Sequence, residues 1–458
     1  MKARFMNALS TLRRRALGVA RRARQAIRRP ESPAATAVSS EAASKILFVG
    51  HTRFSVHQFG SRYFNATRDG DAGAGFSEDQ YTQWLYSDER MDPRTEIFTQ
   101  LSLPQLAQAA EDFHVVHYVS YSPSLPERHK KALRQAARTY DFVELNETKK
   151  TVSSTPTKSL IRKAAQKHHF TSGPIGVYRL DDDDVLSVNY FHLMAPYVRR
   201  SHIGWWVSQG LGIAAVRFGE DFVYARDYYY PKSAFGPLCI AGYDQGEVSH
   251  TQAPKHTVMD HTNPTILDSR EPAYFHIRHR GQDSTLGGKP TPFYPEAMMR
   301  IRSEGPADLD QVRTLFPVVA DRMRLTPGRD EDAVTFDPGS VTATSEPVSY
   351  LWEKPGALAL RVELPDRVKL KQRQLKVSFS TTQDAACQYS KEQEQEFFAA
   401  AKVASDDGDY STWVPHQSTG LGHILFLEPP QGVRITNLRL HTDQHEPLTI
   451  QRVTAYPL

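Results

Sequence analysis

Short apolar runs alternate with helix-like periods from residue 45 onward. The strand-like runs are 46–49, 113–119, 141–145 and 175–180, and the helix-like stretches are 78–86, 125–137 and 157–168. Strands that alternate with helices predict a mostly parallel sheet with helices on both faces. Ligands of such sheets bind outside the carboxyl ends of the strands. We therefore predict an α/β domain over 45–328 with its site at that edge.

The pattern changes after about residue 330. Strand-like stretches with in-and-out alternation follow one another, separated by Pro, Gly and Asp turns, and no long helix is indicated. These stretches are 358–364, 375–379, 424–427, 433–440 and 448–453. Several short strands at such spacing predict an antiparallel β-sandwich over 335–458. We interpret it as an accessory sugar-binding or scaffolding domain.

The first 30 residues are basic, with apolar residues at a helical spacing of three to four. Such a segment can form an amphipathic helix on an anionic membrane surface. A basic tail without regular structure is the equal alternative. Residues 31–44, rich in Ser, Ala and Pro, are predicted to be a linker. The expected location is the cytoplasm, either free or peripheral at the inner face of the cell membrane.

The net charge of +4 is concentrated in this segment. Ten of the 56 Lys and Arg residues lie in residues 1–30, which contain no acid. The rest of the chain has 46 basic and 52 acidic residues, a net charge of −6. This balance argues against a nucleic-acid partner. The two cysteines, Cys239 and Cys387, form no metal or disulfide pattern and favour a reducing compartment. No apolar run reaches the length of a transmembrane helix.

Four consecutive aspartates, residues 181–184, follow the fourth predicted strand directly. We call them the aspartate cluster. Four adjacent like charges need a cation or hydrogen-bond donors. Mg²⁺ and Mn²⁺ bind carboxylates and commonly share their coordination sphere with substrate phosphates, as in a nucleotide-sugar donor. A solvated acidic turn or a structural Ca²⁺ loop is the alternative explanation, but the placement after a strand favours a metal-assisted site.

Adjacent residues of an extended chain point to opposite sides, so Asp181 and Asp183 are predicted to share one face and Asp182 and Asp184 the other. We assign Asp181 to the ribose or base of a donor, with Asp182 beside it, and Asp183 to the metal. Further donor contacts are predicted at three residues on the same edge. They are Thr52 and Arg53, directly after the first strand, and Arg179, which could instead pair with an aspartate.

The segment Arg-Leu-Asp-Asp-Asp-Asp-Val-Leu at 179–186 resembles the Asp-x-Asp signature of GT-A glycosyltransferases, and specifically the bacterial rhamnosyltransferase family. Three other pieces agree with it. They are His-Thr-Arg-Phe at 51–54, Phe98, and Ser-Leu-Pro-Gln-Leu at 102–106, which departs from the family's Leu-Pro-Ser-Leu stretch by one residue. The resemblance covers about 45–325. It implies metal-dependent transfer of a sugar, rhamnose, from a nucleotide donor to a growing polysaccharide or glycolipid.

The resemblance also implies a late histidine as a second metal ligand. His279 is our choice and His276 the alternative, and strand alternation predicts that at most one of them points into the site. Arg278 and Arg280, beside them, could clamp a diphosphate or simply be surface charge.

An inverting transfer needs a general base for the acceptor hydroxyl. We select Asp227, before three tyrosines, and Glu247, in a Gly-containing loop, as candidates. The principal alternative function is a catalytically silent carbohydrate-binding protein on a degenerate transferase fold. A metal-dependent phosphohydrolase or nuclease is a third hypothesis, which predicts further acidic ligands at other strand ends.

Overall fold

The structure is a computed structural model. It describes residues 46–458 except 62–63, 69–73, 250–255, 284–291, 302–304, 325–326, 328–329, 337–340, 344–347, 386, 407–408, 417, 419–421 and 443–447. The predicted N-terminal helix or tail (1–30) and the predicted linker (31–44) lie outside the described residues. Within the described part, no helix has the length and apolar character needed to cross a membrane.

Twenty-three strands are described. They are β1 Leu47–Arg53, β2 His114–Tyr121, β3 Val143–Glu147, β4 Ser172–Arg179, β5 Asp184–Leu186, β6 Trp206–Gln209, β7 Leu211–Phe218, β8 Asp221–Tyr229, β9 Leu238–Asp244, β10 Glu247–Ser249, β11 Thr265–Asp268, β12 Tyr274–Arg278, β13 Val334–Phe336, β14 Val341–Ala343, β15 Val348–Tyr350, β16 Leu358–Glu363, β17 Leu375–Gln383, β18 Ala404–Asp406, β19 Asp409–Trp413, β20 His423–Leu427, β21 Val433–Thr442, β22 Leu448–Ile450 and β23 Arg452–Pro457.

Ten α-helices accompany these strands in the described residues. They are α1 Glu78–Leu85, α2 Asp88–Glu96, α3 Leu103–Ala109, α4 Glu127–Thr139, α5 Lys158–Lys167, α6 Tyr190–Met194, α7 Phe293–Ile301, α8 Leu309–Leu315, α9 Pro317–Ala320 and α10 Lys391–Ala400. A π-helical segment, Ile97–Ser102, joins α2 to α3.

The first sheet has the order β11-β6-β9-β4-β1-β2-β3, with β10 paired to β9. β1 pairs in parallel with β2 and β4, β2 with β3, and β11 with β6, whereas β9 is antiparallel to its neighbours. Phe48 packs on one face with Phe113, and Leu47 and Val49 pack on the other with Ile161 of α5. Apolar residues on both faces of a strand require cover on both faces. The predicted α/β fold with a mostly parallel sheet is confirmed.

The second sheet, β5-β12-β7-β8, places the aspartate cluster. β4 ends at Arg179 and β5 begins at Asp184, so the chain passes from the first sheet to the second within the cluster. β5 pairs antiparallel with β12, which sets Asp184 opposite His276. This crossing brings residues that are about a hundred positions apart into one site.

The C-terminal sheets are antiparallel throughout, as predicted. Their orders are β13-β23-β16-β20, β15-β21-β17-β19-β18 and β14-β22, around a shared apolar core that contains Leu358 and Phe379. One ten-residue helix, α10, accompanies these sheets, so no long helix is described here, as expected. α10 begins at a capping box, in which the Ser390 hydroxyl accepts from the Gln393 amide and the Gln393 side chain accepts from the Ser390 amide. The helix buries Phe398 in the shared apolar core.

A buried hydrogen-bonded chain ties β1, β2 and β4 together below the cluster. The Thr52 hydroxyl donates to the Leu180 carbonyl (2.7 Å) and therefore accepts from His117 Nε2 (2.9 Å). The other ring nitrogen, Nδ1, then accepts from the Tyr178 hydroxyl (2.9 Å). Burial, followed by the nearby His51, lowers the pKa of His117 to about 3. The imidazole is thus held neutral, with one defined tautomer.

His117→Gln should flatten the pH dependence of stability. The unfolded chain binds a proton at His117 below about pH 6.5, whereas the folded protein does so only near pH 3, so the free energy of unfolding falls as the pH falls through this window. Each such group contributes about 1.4 kcal/mol per pH unit. Urea unfolding between about pH 6 and pH 4 should show a slope smaller by that amount. An unchanged slope in H117Q would contradict the neutral buried ring.

Candidate active site

A cavity of about 420 Å³ opens where the aspartate cluster crosses between the two sheets. This volume lies within the usual range of small-molecule sites, about 300–1,000 Å³. Its charged lining comprises Asp181, Asp182, Asp183, Asp184, Asp283, Arg53, Arg90, Arg94 and Arg179. Its aromatic lining comprises Phe64, Tyr81, Trp84 and Phe235. Acids, guanidinium groups and aromatic rings therefore face one space at the predicted edge of the sheet.

The cluster is a turn rather than an extended segment. The Asp184 amide donates to the Asp181 carbonyl (3.4 Å), and β5 starts only at Asp184. The predicted alternation of faces is therefore wrong, because it assumed a continuous strand. Asp182 and Asp183, predicted on opposite faces, both contact Arg94.

Asp182 is buried and occupied by protein donors. One carboxylate oxygen accepts from the backbone amide and the hydroxyl of Ser55, both at 3.1 Å, and the other accepts from Arg94. Only 3% of the Asp182 surface is exposed. Its bonds to Ser55 hold the loop after β1 against the cluster. Its position beside the cavity is as predicted, but its oxygens are engaged by the protein.

Three side-chain nitrogens lie within hydrogen-bond distance of a single Asp183 oxygen. Oδ2 lies 2.9 Å from Arg94 Nη2, 3.1 Å from His279 Nε2 and 3.2 Å from Gln282 Nε2. Burial by itself would raise the pKa of this carboxyl, but Arg94 and the contacts with His279 and Gln282 hold it well below its usual value. Asp183 is therefore ionised over the whole ordinary pH range.

Two arginines on α2 supply the positive charge. Arg90 and Arg94 stand four residues apart, which places them on one face of the helix. Burial would lower the pKa of Arg94, but Asp182 and Asp183 raise it, so this guanidinium stays charged. Arg90 donates to Ser55 Oγ and the Leu85 carbonyl, both at 2.9 Å, and lies over the Trp84 ring. Neither arginine is among the site residues predicted from the sequence. Their i, i+4 spacing was visible, but nothing along the chain linked them to the aspartates.

Asp181 is the most accessible member of the cluster, with its side chain about one-third exposed. Both of its oxygens accept from Arg179 Nη2 at 2.8 Å, which is the structural pairing considered for this arginine. Arg53 lines the same cavity and lies over the Phe64 ring (4.9 Å). Thr52, predicted to contact the donor, is instead fully buried in the sheet and bonded to Leu180 and His117. The structure gives Thr52 a structural position.

His279 reaches the cluster through a turn. Its Nδ1 faces the Arg280 carbonyl at 2.6 Å, and a carbonyl can only accept, so Nδ1 carries a proton. Nε2 then points at Asp183. Burial lowers the pKa of His279, although the hydrogen bond to Asp183 opposes this effect. β12 ends at Arg278, so strand alternation no longer applies at His279.

Of the two histidines, His276 lines the cavity, whereas His279 contacts Asp183 from the turn after β12 without lining it. The His276 Nδ1 lies 2.9 Å from Asp184 Oδ1, and its ring packs on Phe235 (4.5 Å) and Tyr228 (5.7 Å). Burial, and then Arg278, lower the pKa of His276 to about 3. Burial and the neighbouring Asp183 raise the pKa of Asp184 well above its usual value. The two groups therefore share hydrogen bonding rather than a full ion pair.

A protein family described as "Putative rhamnosyl transferase" matches residues 48–285, more than half of the chain. The chain belongs to this family. The match includes β1, the arginines of α2, the aspartate cluster and both histidines. A search among curated proteins finds no match. Membership of a rhamnosyl transferase family indicates glycosyltransferase activity. The matched region ends before α7 and the C-terminal sheets.

Within this glycosyltransferase, the two predicted bases lie away from the cavity. Glu247 pairs with Asp244, and Asp244 lies opposite Ser172 at the start of β4, whereas the cluster follows the end of β4. Glu247 is exposed and 3.8 Å from Arg162. The prediction failed because a Gly-containing loop does not reveal at which end of the sheet it lies.

Asp227 lies on β8, two strands from β12. Its neighbour Tyr228 stacks on His276, so alternation directs the Asp227 side chain to the opposite face of the sheet. The adjacent tyrosine, rather than the acid, belongs to the site. Neither Glu247 nor Asp227 is positioned to accept a proton in the cavity.

Arg94→Met should destabilise the protein strongly. It would leave Asp182 and Asp183 buried without their main counter-charge, and breaking a buried ion pair from one side costs about 3–5 kcal/mol. Arg128→Met is the matched control, because its partners Asp88 and Asp92 are exposed and such pairs contribute about 0–1 kcal/mol. The free energies of unfolding can be measured in urea at neutral pH. Equal losses in the two variants would contradict the role of Arg94 as the internal counter-ion.

Proposed function

We propose that the protein transfers a sugar from a nucleoside diphosphate donor to a glycan or glycolipid acceptor, assisted by Mn²⁺ or Mg²⁺ at Asp183 and His279. The observation that carries this proposal is the cavity itself. It combines the carboxylates of the cluster with several guanidinium groups at the carboxyl ends of β1 and β4, where sheets of this kind bind ligands, and His279 contacts Asp183 at its wall.

The geometry of His279 supports a metal ion. With its proton on Nδ1, a neutral ring directs the Nε2 lone pair at Asp183 Oδ2, an arrangement that is unfavourable unless a cation lies between them or Nε2 is also protonated. Metal-bound histidines commonly donate their other N–H to a carbonyl in this way. A carboxylate and an imidazole are suitable ligands for Mn²⁺.

The protein alone supplies an incomplete coordination sphere. Among the described residues, no group of three or more His, Cys, Asp or Glu side chains is arranged to hold a metal. Two protein ligands suffice for an ion that takes its remaining ligands from water and substrate phosphates, as Mg²⁺ commonly does. When bound, such an ion would stabilise the charge of the departing diphosphate. The site therefore fits an ion that arrives with its nucleotide.

Arg94 sets a condition on this proposal. Its Nη2 donates to the same Asp183 oxygen that would ligate the metal. Binding would weaken this contact, while Arg94 would stay paired with Asp182, whose second oxygen is held by Ser55. Arg94 then serves as the counter-ion of Asp183 before the metal binds and as a further positive charge towards the diphosphate.

Other groups of the cavity are suited to the rest of the donor. Arg53 and Arg179 line the space beyond the cluster, where they can bind phosphate oxygens. Asp181, which is partly exposed, is placed for the ribose hydroxyls. Phe64 and Phe235 offer ring faces for a base or a sugar. The family description supports rhamnose as the sugar, and an inverting outcome stays a prediction.

The proposed acceptor and location rest on the sequence. A basic segment over residues 1–30 would hold the enzyme at an anionic membrane face, where lipid-linked glycans are extended. This would make the protein a peripheral enzyme on the cytoplasmic side. No nucleic-acid partner is proposed, because the chain beyond the basic segment is acidic.

Asp183→Asn tests the proposed function. Loss of the metal-ligand charge should lower kcat/KM for transfer by at least about 100-fold, as disruption of metal sites commonly does. Release of nucleoside diphosphate from a panel of nucleotide-sugars, with and without EDTA, gives the measurement. Asp112→Asn, an exposed acid paired with His192, should retain activity.

Full activity of D183N in EDTA would overturn the metal-assisted mechanism. A catalytically silent carbohydrate-binding protein would instead show no turnover with any donor. It would also show no Mn²⁺-dependent affinity for a nucleoside diphosphate in calorimetry.

A further inference from the structure

Glu428 connects the C-terminal sandwich to the segment that carries His279. It follows β20 directly, and its side chain is almost fully buried. One carboxylate oxygen accepts from the Tyr294 amide (2.8 Å), and the other pairs with Arg280. The Arg280 guanidinium also lies over the rings of Phe293 (5.4 Å) and Tyr294 (5.2 Å). Arg280 is thus neither a clamp for diphosphate nor plain surface charge.

The backbone of Arg280 determines where His279 points. The Arg280 carbonyl accepts from His279 Nδ1, and this bond directs Nε2 at Asp183. The next residue, Gly281, has a φ of 78° and packs against Arg90, because a Cβ there would lie 2.9 Å from Arg90 Cα. The turn is therefore clamped by α2 on one side and by Glu428 on the other.

We infer that Glu428 is a positioning residue for the metal site, acting through Arg280 to hold the orientation of His279. This inference rests on the proposed function, and it assigns the C-terminal sandwich a part in that site. The family match ends at residue 285, so Glu428 lies outside the part of the chain that the family describes. A histidine held in one orientation binds a metal more tightly than one that rotates, and partners of metal ligands commonly change the affinity 10- to 100-fold.

Glu428→Gln is the most specific variant. Glutamine keeps the size of the side chain and can still accept from the Tyr294 amide. Its NH₂ group would then face the Arg280 guanidinium, so it cannot hold that arginine. The expected result is an affinity for Mn²⁺ about 10-fold lower than that of the wild type, measured by isothermal titration calorimetry of Mn²⁺ on the full chain, both alone and with a nucleoside diphosphate present.

Two further variants make the test sharp. Arg280→Ala removes the other partner and should cause the same loss, and the double variant should lose no more than either single one, since both act through one contact. Glu363→Gln is the matched control. Glu363 pairs with Arg361 on β16, at the end of the β16–β20 pairing that lies away from Glu428, and its change should leave the Mn²⁺ affinity intact.

The outcomes separate this inference from the proposed function. If the wild type binds Mn²⁺ and E428Q binds it equally well, the positioning role is wrong while the metal site stands. An equal loss in E363Q would show general destabilisation and would also overturn the role. If the wild type binds no Mn²⁺ with or without nucleoside diphosphate, the metal site itself is wrong and the inference falls with it. Should E428Q fail to fold, the Mn²⁺ affinity of R280A alone tests the positioning role. Because the Arg280 side chain is partly exposed, its removal should leave the protein folded.

Discussion

The ion pairs of Arg94 with Asp182 and Asp183 are the interaction on which the rest of the site depends. Four consecutive acids at a buried turn would repel one another, and burial alone would favour their neutral forms. The Arg94 guanidinium on α2 offsets this cost for Asp182 and Asp183. The remaining two are managed differently, since Asp181 is partly exposed and paired with Arg179, and Asp184 shares a hydrogen bond with His276.

This distribution of charge leaves the members of the cluster with different chemistry. Asp183 is ionised and has two contacts, Arg94 and His279, that an incoming cation could rearrange. Asp182 is fixed by Ser55 and by Arg94, and so acts as the anchor of the turn. The same logic explains why the site spans so much of the chain. One sheet supplies the turn, α2 supplies the cation, and β12 and the turn after it supply the histidines.

The sequence was sufficient for the features that depend on local pattern. The apolar runs that became β1, β2 and β4 are periodic and flanked by clear breaks, so the α/β fold and the position of the cluster could be predicted. The directions in which the four aspartate side chains point could not be predicted, because a turn at Asp182 replaces the expected extended chain. His279 was found through the family resemblance, whereas Glu247 was misplaced because its hairpin meets the opposite end of β4. Arg94 and Glu428 depend on contacts between distant segments, and no spacing along the chain encodes those contacts.

The position of the metal ion is the decisive observation for the proposed site. A crystal structure of the protein with Mn²⁺ and a nucleoside diphosphate, with anomalous data collected at the manganese edge, would give the position of the ion independently of any assumption. A metal ion held by Asp183 and His279 should give one strong anomalous peak between Asp183 Oδ2 and His279 Nε2. The Arg94 contact to Asp183 should lengthen, and its contact to Asp182 should be retained. Bound nucleotide with no manganese at this position, and Arg94 still paired with both aspartates, would contradict the proposed metal site.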